Sequence, residues 1–161
     1  MLCTITIILC LFFWFICYLG TGSDEKNVKS LASYPDVIQD QVKNDPKLGK
    51  LVQEKSKTTV FVSNLITFSV IFLIAGWFIK VESFYENFIH LFNMGMILNI
   101  FDYFVMDLLW WRHTKRIRFS ATKDNPELYQ DPTKHRESFF RAIGMFLLVA
   151  IIDSIVLTLT F

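Results

Sequence analysis

Charge is scarce in this chain. Lys, Arg, Asp and Glu together make up 19% of its 161 residues, and two long stretches, Met1 to Ser23 and Thr58 to Ile79, contain none of them. A third, Phe139 to Phe161, has only Arg141 and Asp153. A fourth, Phe84 to Trp111, is apolar apart from Glu86, His90, Asn93, Asn99, Asp102 and Asp107. Charge distributed so unevenly argues against a soluble core and for a membrane protein. The net charge is only +1, so no global basic field points to nucleic acid. There is no Gly-rich phosphate loop, no His-Glu-x-x-His and no Gly-x-Ser-x-Gly, which removes the familiar signatures of nucleotide binding, zinc proteolysis and serine hydrolysis.

What is present instead is apolar mass: 53% hydrophobic residues, with 17 Phe. Each of the four stretches reaches the roughly 20 residues that carry a helix across a ~30 Å hydrocarbon layer. The sequence therefore predicts an all-α polytopic membrane protein, a four-transmembrane-helix bundle forming a single transmembrane domain. Its helices are expected at about 2–20, 58–79, 84–111 and 137–160, with short helical cytoplasmic loops at about 24–57 and 112–136. The first stretch lacks a cationic leader and exceeds the usual signal-peptide core of about 7–15 residues, so it is read as a retained helix. Cleavage at Gly20-Thr21-Gly22 is the alternative.

The connection from Asp24 to Lys57 has seven Lys, and that from Arg112 to Arg141 has eight Lys or Arg. Only Lys80 lies on the other side. The excess of cations in short cytoplasmic loops then places both connections in the cytoplasm and both termini outside a cell membrane. Trp77, Trp110 and Trp111 are expected at membrane interfaces. Asp45-Pro46 and Asp131-Pro132 each read as a helix cap followed by proline in the first turn, so the second and fourth membrane helices should begin within the loops. Leu48, Leu51 and Val52 would give the first lead-in an apolar face against lipid headgroups. The segment Pro35 to Asp40 echoes Pro126 to Asp131, by shared capping chemistry rather than duplication of a hairpin.

Two acids lie deep in apolar surroundings. Counted back from Trp111, Asp102 is roughly 13 Å into the membrane, and Asp153 is about 20 Å from the cytoplasmic start of its helix. An ionised carboxylate at mid-membrane costs about 2.5–3.5 kcal/mol even on lenient scales, so both must face protein or water. Asn99 and Thr67 complete the intramembrane polar candidates, Thr67 as a hydrogen-bond partner for Asp102. The two acids are also candidates to approach each other and share a proton. Asp107, near the interface, is expected to pair with Arg112 or Lys115.

Glu82, Glu86, His90 and Asn93 follow one helical face and form a polar outer mouth rather than a metal site. Arg112, Lys115, Arg116 and Arg118 are the candidates for contact with anionic headgroups. Cys3, Cys10 and Cys17 recur every seven residues, about 10 Å apart, too far for disulfides within the stripe, so they are read as packing residues. His113 and His135 lack metal-ligand spacing. No metal and no cofactor is expected.

Asn99-Ile100-Phe101-Asp102 and Ala150-Ile151-Ile152-Asp153-Ser154 loosely resemble the Asn-x-x-Asp and Ala-Asp-Ser segments of signal peptidase II, an aspartyl peptidase of bacterial membranes. The resemblance covers under ten residues. The chain lacks that family's Phe-Asn before the second acid and its helices run the opposite way, so it is not assigned to the family. Three function classes follow. The first is a non-enzymatic accessory or assembly subunit of a membrane complex, with the lipid bilayer and a membrane protein or second copy as partners. The others are a proton- or cation-coupled small transporter using Asp102 and Asp153, and a small membrane enzyme acting on lipid or peptide with the same acids.

Overall fold

The computed structural model describes residues 1–53 and 56–160. Glu54, Lys55 and Phe161, which fall within the expected first loop and the last apolar stretch, lie outside the described residues. The helices are α1 (Leu2–Leu19), α2 (Asp24–Asn27), α3 (Asp36–Asn44), α4 (Lys57–Trp77), α5 (Phe84–Phe101) and α6 (Thr133–Leu159). Short 3-10 turns occur at Val28–Ser33, Gly49–Leu51 and Pro126–Tyr129, and α5 runs on as a π-helical segment, Asp102–Trp111. There is no strand among the described residues. Four helical spans are long and apolar enough to cross a membrane: Leu2–Leu19, Lys57–Trp77, Phe84–Trp111 and Pro126–Leu159. The protein is an all-helical, multi-pass membrane protein, consistent with a four-helix bundle.

The chain divides into two compact units. One comprises Met1–Cys10, Lys55–Phe101 and Phe139–Phe161; the other comprises Leu11–Glu54 and Asp102–Ser138.

In the first unit α6 sorts its residues by helical period. Met145, Phe146, Val149, Ala150, Asp153, Ser154 and Leu157 are buried, while Leu147, Leu148, Ile151, Ile152 and Ile155 are exposed. Pairs of residues repeating every four positions make one stripe against protein and leave an apolar stripe for lipid. Glycine lets the backbones close. A Cβ on Gly95 would sit 2.9 Å from Phe146 Cβ, and one on Gly76 would sit 2.6 Å from Leu157 Cδ1. Small residues at such crossings are how membrane helices gain packing without a hydrophobic driving force between them. Polar ties mark the ends of the α5–α6 pair. Asn87 Nδ2 donates to Thr158 Oγ1 at 3.1 Å, and Asn99 Nδ2 donates to the Phe139 carbonyl at 3.1 Å.

The second unit has a core of its own, built from both cation-rich connections. Val28, Leu31, Tyr34, Ile38, Val42 and Leu48 from the first meet Ile117, Phe119 and Tyr129 from the second and Trp111 at the end of the π-helical segment. Tyr34 is the centre of it: its ring lies 4.9 Å from Trp111, 5.0 Å from Phe119 and 6.1 Å from Tyr129. Its hydroxyl donates to the Ile117 carbonyl at 2.8 Å. Burial pushes the Tyr34 phenol above its ordinary pKa.

Around this core the polar groups are matched across the two connections. Asn27 donates to the Arg116 carbonyl at 3.0 Å, Asp24 accepts from the Ser120 amide at 2.9 Å, and Lys134 pairs with Asp36 at 2.8 Å. Arg116 donates to the Tyr18 and Thr21 carbonyls at 3.1 and 2.9 Å, and its guanidinium lies 3.9 Å from the Tyr18 ring centroid. Gly22 is the one glycine with positive φ among the described residues, +107°, and Arg116 fills the space a Cβ would need, at 2.7 Å.

Several sequence expectations change here. Helix α4 begins at Lys57, capped by the Ser56 hydroxyl, and not at Pro46. Asp45 does accept from the Lys47 and Leu48 amides at 2.8 Å, which holds its carboxyl below the usual range, but the cap closes only a turn. Leu48 and Val52 are drawn into the aromatic core rather than along headgroups. Asp131 behaves as expected: its carboxylate accepts from the Thr133 amide at 2.9 Å and from the Thr133 hydroxyl, which lowers its pKa, and α6 starts there. Trp77 is 55% exposed at the end of α4, whereas Trp111 is buried in the loop core. The echo between Pro35–Asp40 and Pro126–Asp131 has a packing cause, since Ile38 and Tyr129, each three residues after its proline, enter the same core.

Candidate functional site

Buried polar groups gather in two places, one in each unit. The first is on the π-helical segment. In an α-helix, residues five apart point to different sides; with i to i+5 bonding they come round to one broad side. Asp102 and Asp107 are five apart and open the successive turns of that segment. At the lower position Asp107 Oδ1 lies 2.9 Å from His135 Nδ1, with side-chain exposures of 14% and 6%. The Trp111 ring meets the His135 ring edge-on at 5.5 Å between centroids. The arrangement is a carboxylate that fixes the tautomer and rotation of an imidazole from the first turn of α6, the orienting half of an acid–base dyad. Asp107 thus pairs with His135 rather than with Arg112 or Lys115. His135 was missed because its partner lies 28 positions earlier in the chain, and no local spacing joins them.

The second place is in the helical unit. Asp153 and Ser154 are both completely buried, and neither the two Asp153 carboxylate oxygens nor the Ser154 hydroxyl has a hydrogen-bond partner. Ser69 of α4 is the polar side chain that faces the Asp153 carboxyl group, outside hydrogen-bonding geometry. Asp102 belongs to the other unit.

The remaining sequence candidates distribute as follows. Thr67 is exposed, and its hydroxyl donates to the Ser63 carbonyl of its own helix at 2.8 Å. Asn99 is buried and bonded to Phe139. Glu82, Glu86 and Asn93 are exposed, while His90 buries an Nδ1 without a partner. No group of three or more His, Cys, Asp or Glu side chains with metal-binding geometry occurs among the described residues. Arg116 is engaged inside the loop unit; Lys115 is exposed, and Arg112 and Arg118 are half-buried. Cys3, Cys10 and Cys17 are free thiols, exposed, buried and half-buried in that order. Two open hollows lie on the loop unit, one of about 480 Å³ between Asp40, Asn44, Thr122 and Asn125.

Compared with protein families, curated proteins and solved structures, the chain matches none.

Proposed function

We propose that this protein is a non-enzymatic accessory or assembly subunit of a membrane complex, anchored by its four helices and presenting the loop unit to the cytoplasm. The observation that carries this reading is the loop unit itself. Two connections that have no apolar stretch of their own fold together on an aromatic core, and their Asn, Asp, Tyr and Arg side chains hold one connection to the other. Polar groups used in this way build a rigid surface rather than line a reaction cleft, and the hollows on it are shallow and open. A folded module of this kind on a membrane anchor suits recognition of another protein. Lys115 and the half-buried Arg112 and Arg118 are positioned in sequence to meet anionic headgroups beside it. The charge bias of the connections supports an orientation with both termini outside the cell membrane.

The test is affinity purification of the tagged protein in mild detergent, with mass spectrometry of what accompanies it. A membrane protein recovered in fixed ratio, and retained with Asp102→Asn and Asp153→Asn, is the expected result. Recovery of the protein with lipid alone, together with substrate turnover or transport in proteoliposomes, would overturn the reading.

A further inference from the structure

We propose that Asp153, with the hydroxyls of Ser154 and Ser69, forms an intramembrane binding site for a small monovalent cation, a proton or Na⁺. This goes beyond the accessory-subunit reading and does not rest on it.

Position comes first. Asp153 lies about 20 Å along α6 from Phe139, and Ser69 about 18 Å along α4 from Lys57, so both sit well inside the apolar spans. The two helices run in the same direction in the same unit, and their register is fixed nearby by the approach of Gly76 to Leu157. On α6, Asp153 and Ser154 belong to the protein-facing stripe between Val149–Ala150 and Leu157, so neither reaches lipid.

Chemistry comes second. A carboxylate kept only as glue between helices would accept a hydrogen bond from a neighbour, as the buried amide of Asn87 donates one to Thr158 in the same unit. Neither Asp153 carboxylate oxygen has a partner in good hydrogen-bonding geometry, although the residue is completely buried, and the Ser69 hydroxyl is the donor that comes near it. Leaving a carboxylate in apolar surroundings without proton, counter-charge or donor costs several kcal/mol, so the group needs a cation. The local protein supplies none. The α4 stretch is free of charge beyond Lys57; the Met1–Cys10 segment has the amino terminus, the hydroxyls of Thr4 and Thr6 and the thiols of Cys3 and Cys10; Lys80 is tied to the Thr160 carbonyl at the far end of α6, about 10 Å along the axis from Asp153; and α5 carries the exposed Tyr85 and Glu86 and the half-buried His90. On α6 itself the nearest cation is Arg141, about 18 Å away along the axis. What faces the carboxylate is hydroxyl oxygen: Ser69 opposite, and Ser154 beside it with an unused lone pair. Oxygen-only donors with a single negative charge match a hard monovalent ion or a proton, and not a transition metal. The carboxylate takes the charge, and the hydroxyls complete the shell.

Infrared difference spectroscopy on the purified full chain in lipid nanodiscs tests this, with Asp153→Asn subtracted to isolate the Asp153 bands. Conversion between the carboxylic acid and carboxylate bands as pH is stepped in choline buffer assigns the site to a proton. A shift of the carboxylate band on replacing choline with Na⁺ at constant ionic strength assigns it to Na⁺. Asp153 bands that respond to neither overturn the proposal. Ser69→Ala and Ser154→Ala keep the carboxyl group and suit helix interiors, so they remain informative if Asp153→Asn does not fold. Each should weaken occupancy about tenfold, the size of one lost hydrogen bond. Unchanged midpoints in both would remove the hydroxyls from the site and sink its description as built.

Discussion

Tyr34 shows how one side chain organises a unit that composition alone did not announce. Its ring contacts Trp111 at the end of the π-helical segment and Phe119 and Tyr129 of the second connection, and its hydroxyl satisfies a buried carbonyl of that connection. Tyr34→Phe keeps the ring and leaves the Ile117 carbonyl without its donor, which should cost the loop unit about 1–3 kcal/mol in denaturant titration. The same residue fixes a pH response. Its folded pKa is raised by burial, so the stability it contributes is complete below the unfolded tyrosine pKa of about 10 and is lost as pH rises further. Near-ultraviolet circular dichroism should show the unit loosening above about pH 10, with part of that loss absent in Tyr34→Phe. Gly95 makes the corresponding point in the helical unit. Gly95→Ala raises helix propensity but drives a methyl against Phe146 Cβ and Cγ, neither of which can swing away. Overpacking of about 1–3 kcal/mol should prevail, read as a lower midpoint in detergent unfolding. A more stable Gly95→Ala would show that the helix pair is looser than its geometry. Neither residue stands out in the sequence, because Tyr34 follows no helical period and Gly95 looks like any glycine in an apolar run.

At the scale of elements, what was legible followed periodicity and charge. The four spans and the cap at Asp131 could be read locally, since each depends on nearby residues, whereas the buried stripe of α6 could not, because that helix is apolar on every side. Asp45-Pro46 has the same local chemistry as Asp131-Pro132 yet starts no membrane helix. The difference is tertiary: Leu48 is held in the aromatic core and the chain turns extended at Val52 before Ser56 caps α4. The π-helical stretch was not legible at all, for it contains no Gly or Pro and its residues read as ordinary helix. Its consequence is the placement of Asp107 against His135. His135→Ala would leave a largely buried carboxylate without its partner, so a loss of about 3 kcal/mol is expected in the loop unit. His135→Asn, whose amide can reproduce a donor near Nδ1, should recover part of it. If proteolysis of the loop unit is unchanged in both variants, the pair is incidental and the candidate acid–base dyad goes with it.

At the scale of the whole molecule the decisive quantity is where cations lie. Seven Lys fall in one connection and eight Lys or Arg in the other, leaving Lys80 alone between α4 and α5. Moving a cluster of that size across a bilayer is opposed at every charge, and the folded loop unit adds a second barrier, because Arg116, Asp24 and Asn27 bind one connection to the other. Both connections should therefore be cytoplasmic, and the turn at Lys80 to Ser83 external. Single cysteines in a background free of Cys3, Cys10 and Cys17 can establish this. Lys29→Cys and Lys123→Cys place probes at exposed sites of the loop unit, whereas Thr122 is buried and would label poorly for reasons unrelated to topology. Glu82→Cys reports the opposite side. An impermeant maleimide should label Glu82→Cys on intact cells, and the other two only after permeabilisation. The reverse pattern would invert the orientation, move the loop unit outside, and leave the subunit reading without a cytoplasmic partner to recognise. Labelling of one connection but not the other from outside would mean that an odd number of spans separates them, a result incompatible with a unit whose core takes residues from both.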